Sequence, residues 1–322
     1  MLGIRKSRDA IEDPISNYNV NTFNAIGKLD NENDGSFDEE PVYNYANTLI
    51  IDLFNVEGQS DPVRGIEKEG ALILGAWMRV YEDLYNVLRY CGAPDAHADP
   101  EELLQLLDRV AALWIGRLQS YGDNTRGTML YNLAERTSIH FNQEHGEAEV
   151  NTKFLFILNE MKAMVDNGEC FDDGSLQTGY HVLYKHFHQI VGVMNIPLIQ
   201  NLIHYIAFDA DPKLIELYVL ALMPQLRSCN EDYFDFFISE VGVLSSGDYI
   251  DDDLLGIVEN VQLMYSCLGV TCKDVGTHAT GIGCDDENVQ PIHSLAGYIP
   301  TNNVRNVSLR VFIILFLETD LS

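Results

Sequence analysis

The residues best suited to hold a metal ion are His140 and Glu144. They lie at i and i+4, a spacing that puts an imidazole and a carboxylate on one side of a helix. That ligand pair can take iron or zinc once other elements supply the remaining donors; the same spacing also describes a surface pair. Glu82-Asp83 is a second candidate pair for a cation, and equally an ordinary charged helix face. His181 and His188 are about 10 Å apart along a helix, too far to reach one ion together. His204 sits among Leu202, Ile203, Tyr205 and Ile206 and reads as a hydrogen-bonded core histidine. Asp30 to Gly35 resembles the start of a calcium loop, but position twelve is Pro41 instead of glutamate, so a solvated acidic loop is expected. Asp251-Asp252-Asp253 and Asp285-Asp286-Glu287 offer oxygen to hard cations or simply face water. No nucleophile elbow, His-Glu-x-x-His or phosphate loop is present, so binding is expected rather than catalysis.

Composition narrows the partners. The chain has 322 residues, 49 acids and 20 bases, for a formal charge of -29. Such a field repels nucleic acid and anionic membranes and attracts cations and basic partners. Solubility alone also accounts for it. Hydrophobic residues make up 46%, enough for a large core. Six cysteines, Cys91, Cys170, Cys229, Cys267, Cys272 and Cys284, suit three disulfides and an oxidising compartment. Fifteen pairings are possible and none is selected by sequence. Zinc-knuckle spacing is absent. The sequon Asn306-Val307-Ser308 fits export. Met1 to Lys6 leads into polar sequence without an apolar signal core, so either the protein stays inside or this chain lacks its true beginning. No segment approaches the ~20 apolar residues of a membrane span, the nearest being 311–317. That run near the C-terminus is expected to be a buried terminal element or translated intron.

The elements that must position these groups read as helices. Ile66, Ile73, Trp77, Val80, Leu84, Val87 and Leu88 follow a 3.6-residue period over 66–91. Asp99-Pro100 marks the start of a helix reaching about Leu118. Further helices are expected at 127–143, 147–166 and 179–194, with a break before Pro197 and a buried helix from Pro197 to Phe208. Asp211-Pro212 opens another that ends near Pro224, followed by helices at 230–242 and 251–268. Beyond Cys272 the chain turns Gly-, Asp- and Asn-rich and reads as loop. No strand ladder is visible. The expected fold is all-α, a single array of about eight to ten disulfide-bridged helices.

Several short segments, taken in order, resemble a known family. They are Trp114-Ile115-Gly116, Gly127 to Glu135, Val150-Asn151-Thr152, Ile196 to Gln200, and Cys267 to Cys272. The pattern is similar to the algal iron-assimilating, high-CO2-inducible secreted proteins and their diatom and other stramenopile relatives. The resemblance runs from about residue 40 to 285 and implies a helical iron-assimilation-like domain at 41–285, while the residues themselves read as a polar acidic N-terminal segment at 1–40 and a loop and atypical tail at 286–322. It also implies an extracellular, periplasmic or cell-surface location, with iron or another cation as ligand. One departure stands out: where relatives carry cysteines after the Ala134-Glu135-Arg136 segment, this chain has Thr137-Ser138-Ile139-His140-Phe141-Asn142. The alternatives are a structural or adhesion module of an algal surface layer, and an enzyme with an unmarked site.

Overall fold

A computed structural model describes residues 66, 68–92, 99–120, 126–141, 148–170, 176–208, 210–229, 236 and 251–283. Among them are nine α-helices and no strand. A π-helical stretch, Ala71–Trp77, runs directly into α1 (Met78–Gly92). Then come α2 (Pro100–Ile115), α3 (Leu130–Ser138) with a 3₁₀ turn at Ile139–Phe141, and α4 (Glu149–Asp166). The long α5 (Leu176–Ala207) and α6 (Pro212–Cys229) follow. Last are α7 (Asp251–Leu263), α8 (Tyr265–Leu268) and α9 (Cys272–Val275).

Local signals set several of these ends. The Asp99 carboxylate accepts from the Glu101 N–H at 3.1 Å and Pro100 occupies the first turn, so α2 begins where its cap requires. It stops at Ile115, before the expected Leu118, because Gly116 takes φ +74° and Leu118 itself lies at φ +70°. The Asp211 side chain likewise accepts from Lys213 N–H at 3.0 Å at the start of α6. That helix continues through Pro224 to Cys229.

The break expected at Pro197 is absent. Helix α5 carries Pro197 in its interior and runs unbroken for 32 residues. Proline removes one helical hydrogen bond and costs roughly 3 kcal/mol. Burial around it outweighs that cost, since Met194, Ile196, Leu198, Ile199, Leu202 and Ile203 are all in the core. Beside the proline, the Met194 carbonyl accepts from Trp77 Nε1–H at 3.0 Å, and the Pro197 carbonyl accepts from Asn201 Nδ2–H at 2.7 Å.

Helix α5 is the axis of the array, touching α1, α3, α4, α6, α7, α8 and α9. One hydrophobic cluster spans Ile66 to Val275. Because α5 is continuous, the stretch Gly179–Ala207 is long and apolar enough to cross a membrane by length and composition, contrary to the sequence expectation. Of its most apolar window, 78% is buried inside the fold, as in the core helix of a bundle. Cys91 at the end of α1 is bridged to Cys170 beyond α4. Cys267 and Cys272 are also disulfide-bonded. The side chains of Cys229 and Cys284, the expected helix at 230–242 apart from Phe236, the acidic loop at Asp30, the cluster at 285–287 and the 311–317 run lie outside the described residues.

Candidate metal centre

Three histidines from three distant segments meet at one point. His140 sits in the 3₁₀ turn after α3, His204 in the last turn of α5, and His278 in the loop after α9. Each offers one ring nitrogen, and the three atoms all lie within 4.8 Å of one another. His278 is buried; the other two are half-buried.

The His278 loop reaches this point by running along α5. Gly192 and Gly269 form the first contact. A Cβ on Gly192 would come within 2.4 Å of the Gly269 carbonyl oxygen, and Gly269 itself has φ +75°, so both positions need glycine. Asn195 Nδ2–H then donates to the Leu268 carbonyl at 3.0 Å, and Gln200 Nε2–H to the Val275 carbonyl at 2.8 Å. His204 and His278 complete the series, with His204 Nδ1 3.2 Å from His278 Nε2. The loop closes on itself through His278 N–H to the Ile282 carbonyl and Gly281 N–H to the His278 carbonyl, both 2.8 Å. Ala279 N–H donates to the His140 carbonyl at 2.9 Å, tying the loop to the turn after α3. At the base of α9, Thr271 and Asp274 form a capping box, and Asp274 pairs with Lys153 of α4 at 3.0 Å.

Aromatic rings wall the site. The His140 and His204 rings stack with centroids 3.9 Å apart. Phe141 lies edge-on to His278 at 5.2 Å. Phe208 touches all three imidazoles, with centroid distances of 4.8 Å to His204, 5.6 Å to His278 and 6.5 Å to His140. It does so while 60% exposed, which places it at the mouth.

The electrostatics keep the imidazoles neutral. Burial lowers the His140 pKa. Burial pushes His204 down to about 4, helped by the charges that His140, His278 and Arg136 would set beside it. His278 is lowered by burial and then by His140. All three shifts favour the neutral rings that metal ligation requires, each with one nitrogen lone pair. An ion 2.0–2.1 Å from each nitrogen in tetrahedral geometry needs nitrogens about 3.3 Å apart. The His204–His278 pair already stands at that distance. Near-parallel stacking points the His140 and His204 lone pairs side by side, so convergence takes a tilt of the half-buried His140 ring.

A buried carboxylate network lies alongside. Glu69 accepts from Arg136 Nη2–H at 2.5 Å, from Tyr218 O–H at 2.7 Å and from Tyr205 O–H at 3.0 Å. Arg136 is one helical turn before His140, and Tyr205 is next to His204, so this network braces two of the three histidine-bearing segments.

Comparison with family models, with curated proteins and with solved structures finds no match. The reading of the site therefore rests on its geometry.

Of the residues singled out in sequence, His140 is in the cluster. Glu144 lies outside the described residues. Asp83 is wholly buried with both oxygens engaged: Arg109 Nε–H bonds Oδ2 at 2.6 Å, Arg109 Nη2–H bonds Oδ1 at 2.5 Å, and Arg79 approaches Oδ1 at 3.1 Å. Glu82 accepts from Arg79 at 2.9 Å, and burial raises its pKa. Through Arg109, Asp83 joins α1 to α2, whereas Glu82 pairs within α1. The acidic pair belongs to no group of three potential ligands among the described residues. His181 is exposed and His188 packs on Tyr184 and Phe187. His204 is hydrogen-bonded, as expected, but its partner is a second imidazole. His278 carries no sequence expectation. Its one local signal is the Gly276-Thr277-His278-Ala279-Thr280-Gly281 string, whose glycines adopt φ +80° and +88° and turn the loop inward.

Proposed function

We propose that this protein binds a divalent first-row transition-metal ion through His140, His204 and His278. The observation that carries the reading is the convergence of three depressed-pKa imidazoles from separate segments. Imidazole suits zinc, copper, nickel and ferrous iron, whereas calcium, magnesium and ferric iron favour oxygen. The resemblance to iron-assimilating proteins singles out ferrous iron within that range. Disulfides support an extracytoplasmic location, and the -29 charge would concentrate cations around the molecule. The absence of catalytic motifs supports capture rather than turnover.

Equilibrium dialysis against zinc, copper(II), nickel, ferrous and ferric ions tests the reading. The control is the triple variant H140A/H204A/H278A, which keeps the surface acids and hence their loose cation binding. One tightly held divalent ion per chain in the wild type, lost in the variant, is expected. Equal binding by both would overturn the assignment.

A further inference from the structure

We infer that Thr280 is a positioning residue for this metal centre, its hydroxyl serving as the hydrogen-bond partner of the His278 nitrogen on the far side of the ring. The inference rests on the metal-binding reading and adds a residue that ligates nothing.

His278 meets Thr280 twice through one atom. The Thr280 backbone N–H donates to His278 Nδ1 at 3.2 Å, and the Thr280 Oγ1 hydroxyl lies 2.8 Å from the same nitrogen. A backbone N–H can only donate, so in this state Nδ1 bears no proton. In the neutral ring the proton is then on Nε2, where it donates to His204 Nδ1 at 3.2 Å. With that tautomer, His204 and His278 hydrogen-bond to each other across the site.

Metal binding reverses this. The nitrogen of His278 that faces His204 is Nε2, so Nε2 must supply the lone pair. The proton then resides on Nδ1, within the same neutral ring. Against the Thr280 N–H alone, an Nδ1–H would be donor facing donor. The hydroxyl offers what the N–H cannot: it accepts from Nδ1–H at the shorter distance of 2.8 Å, while the longer 3.2 Å N–H contact opens. A hydrogen bond to the far nitrogen fixes a ligating imidazole and raises its basicity, and losing such a partner costs about 10–100-fold in affinity. Thr280 is exposed in its loop, so a change there leaves the core untouched.

The test compares Thr280→Val with Thr280→Ser, reading zinc affinity by competition with a chromophoric chelator. Valine keeps the N–H and removes the hydroxyl; serine restores it. Thr280→Val is expected to weaken zinc by about tenfold or more, with Thr280→Ser close to wild type. Wild-type affinity in Thr280→Val, or no recovery in Thr280→Ser, would overturn the inference while leaving the three-histidine reading in place. Failure of the wild type to bind zinc would overturn the reading itself. Imidazole nitrogen NMR on the wild type covers the case in which Thr280→Val does not fold. It should show His278 protonated at Nε2 without metal and at Nδ1 with zinc; Nδ1–H in the metal-free protein would contradict the assignment.

Discussion

His204 Nδ1 and His278 Nε2 stand 3.2 Å apart although 74 residues separate them in the chain. The approach is the last of four contacts that lay the 268–278 segment along α5, after Gly192–Gly269, Asn195–Leu268 and Gln200–Val275. The metal-binding reading follows from that alignment, because it delivers a buried imidazole from a loop to one on a rigid helix.

Removing a ligand should cost more than removing its support. His204→Ala is expected to lower zinc affinity by more than the ~10–100-fold typical of a supporting residue. Isothermal titration of folded variants, with circular dichroism as the folding check, measures it.

Phe208 should control exchange more than affinity. It covers the three rings from the solvent side. Phe208→Ala is expected to speed metal uptake and release together, leaving the equilibrium constant within about threefold, roughly 0.65 kcal/mol at RT ≈ 0.59 kcal/mol. Stopped-flow mixing with a chelator reads both rates.

The histidine trio also fixes a pH dependence of stability. A base whose pKa is depressed on folding contributes stability above its unfolded value and loses it as pH falls toward the folded value. For His204 that window runs from the ordinary value near 6.5 down to about 4. Metal-free wild type should lose more stability between pH 7 and pH 5 than His204→Gln, which cannot take the proton. Urea midpoints at the two pH values give the difference.

How much of this was legible in sequence differs by element. The cap at Asp99-Pro100 and the periodic core of α1 follow from local chemistry, and the structure has both. Pro197 misleads because the rule for proline is local, whereas the compensation comes from the core residues around it and the Trp77 indole beyond. His140 draws attention in sequence only through its spacing to Glu144, which lies outside the described residues, whereas the structure joins it to His204 and His278 from a 3₁₀ turn. His278 draws none, because periodicity says nothing about a loop, and its partner lies 74 residues upstream. The depressed pKa of His204 is equally invisible, since burial and two distant imidazoles cause it.

The carboxylate network offers a stability test. Glu69→Ala would leave the fully buried Tyr218 hydroxyl without its acceptor. An unsatisfied buried donor costs about 1–3 kcal/mol. Chemical denaturation should show a loss of at least that order, with Arg136 also losing its partner.

In the proposed centre, imidazole nitrogen from three segments holds the ion. X-ray absorption at the zinc edge of the loaded wild-type protein tests it most directly. Three imidazole nitrogens at about 2.0–2.1 Å, with outer-shell scattering from their rings, are expected. An all-oxygen shell, as surface carboxylates would give, would contradict it.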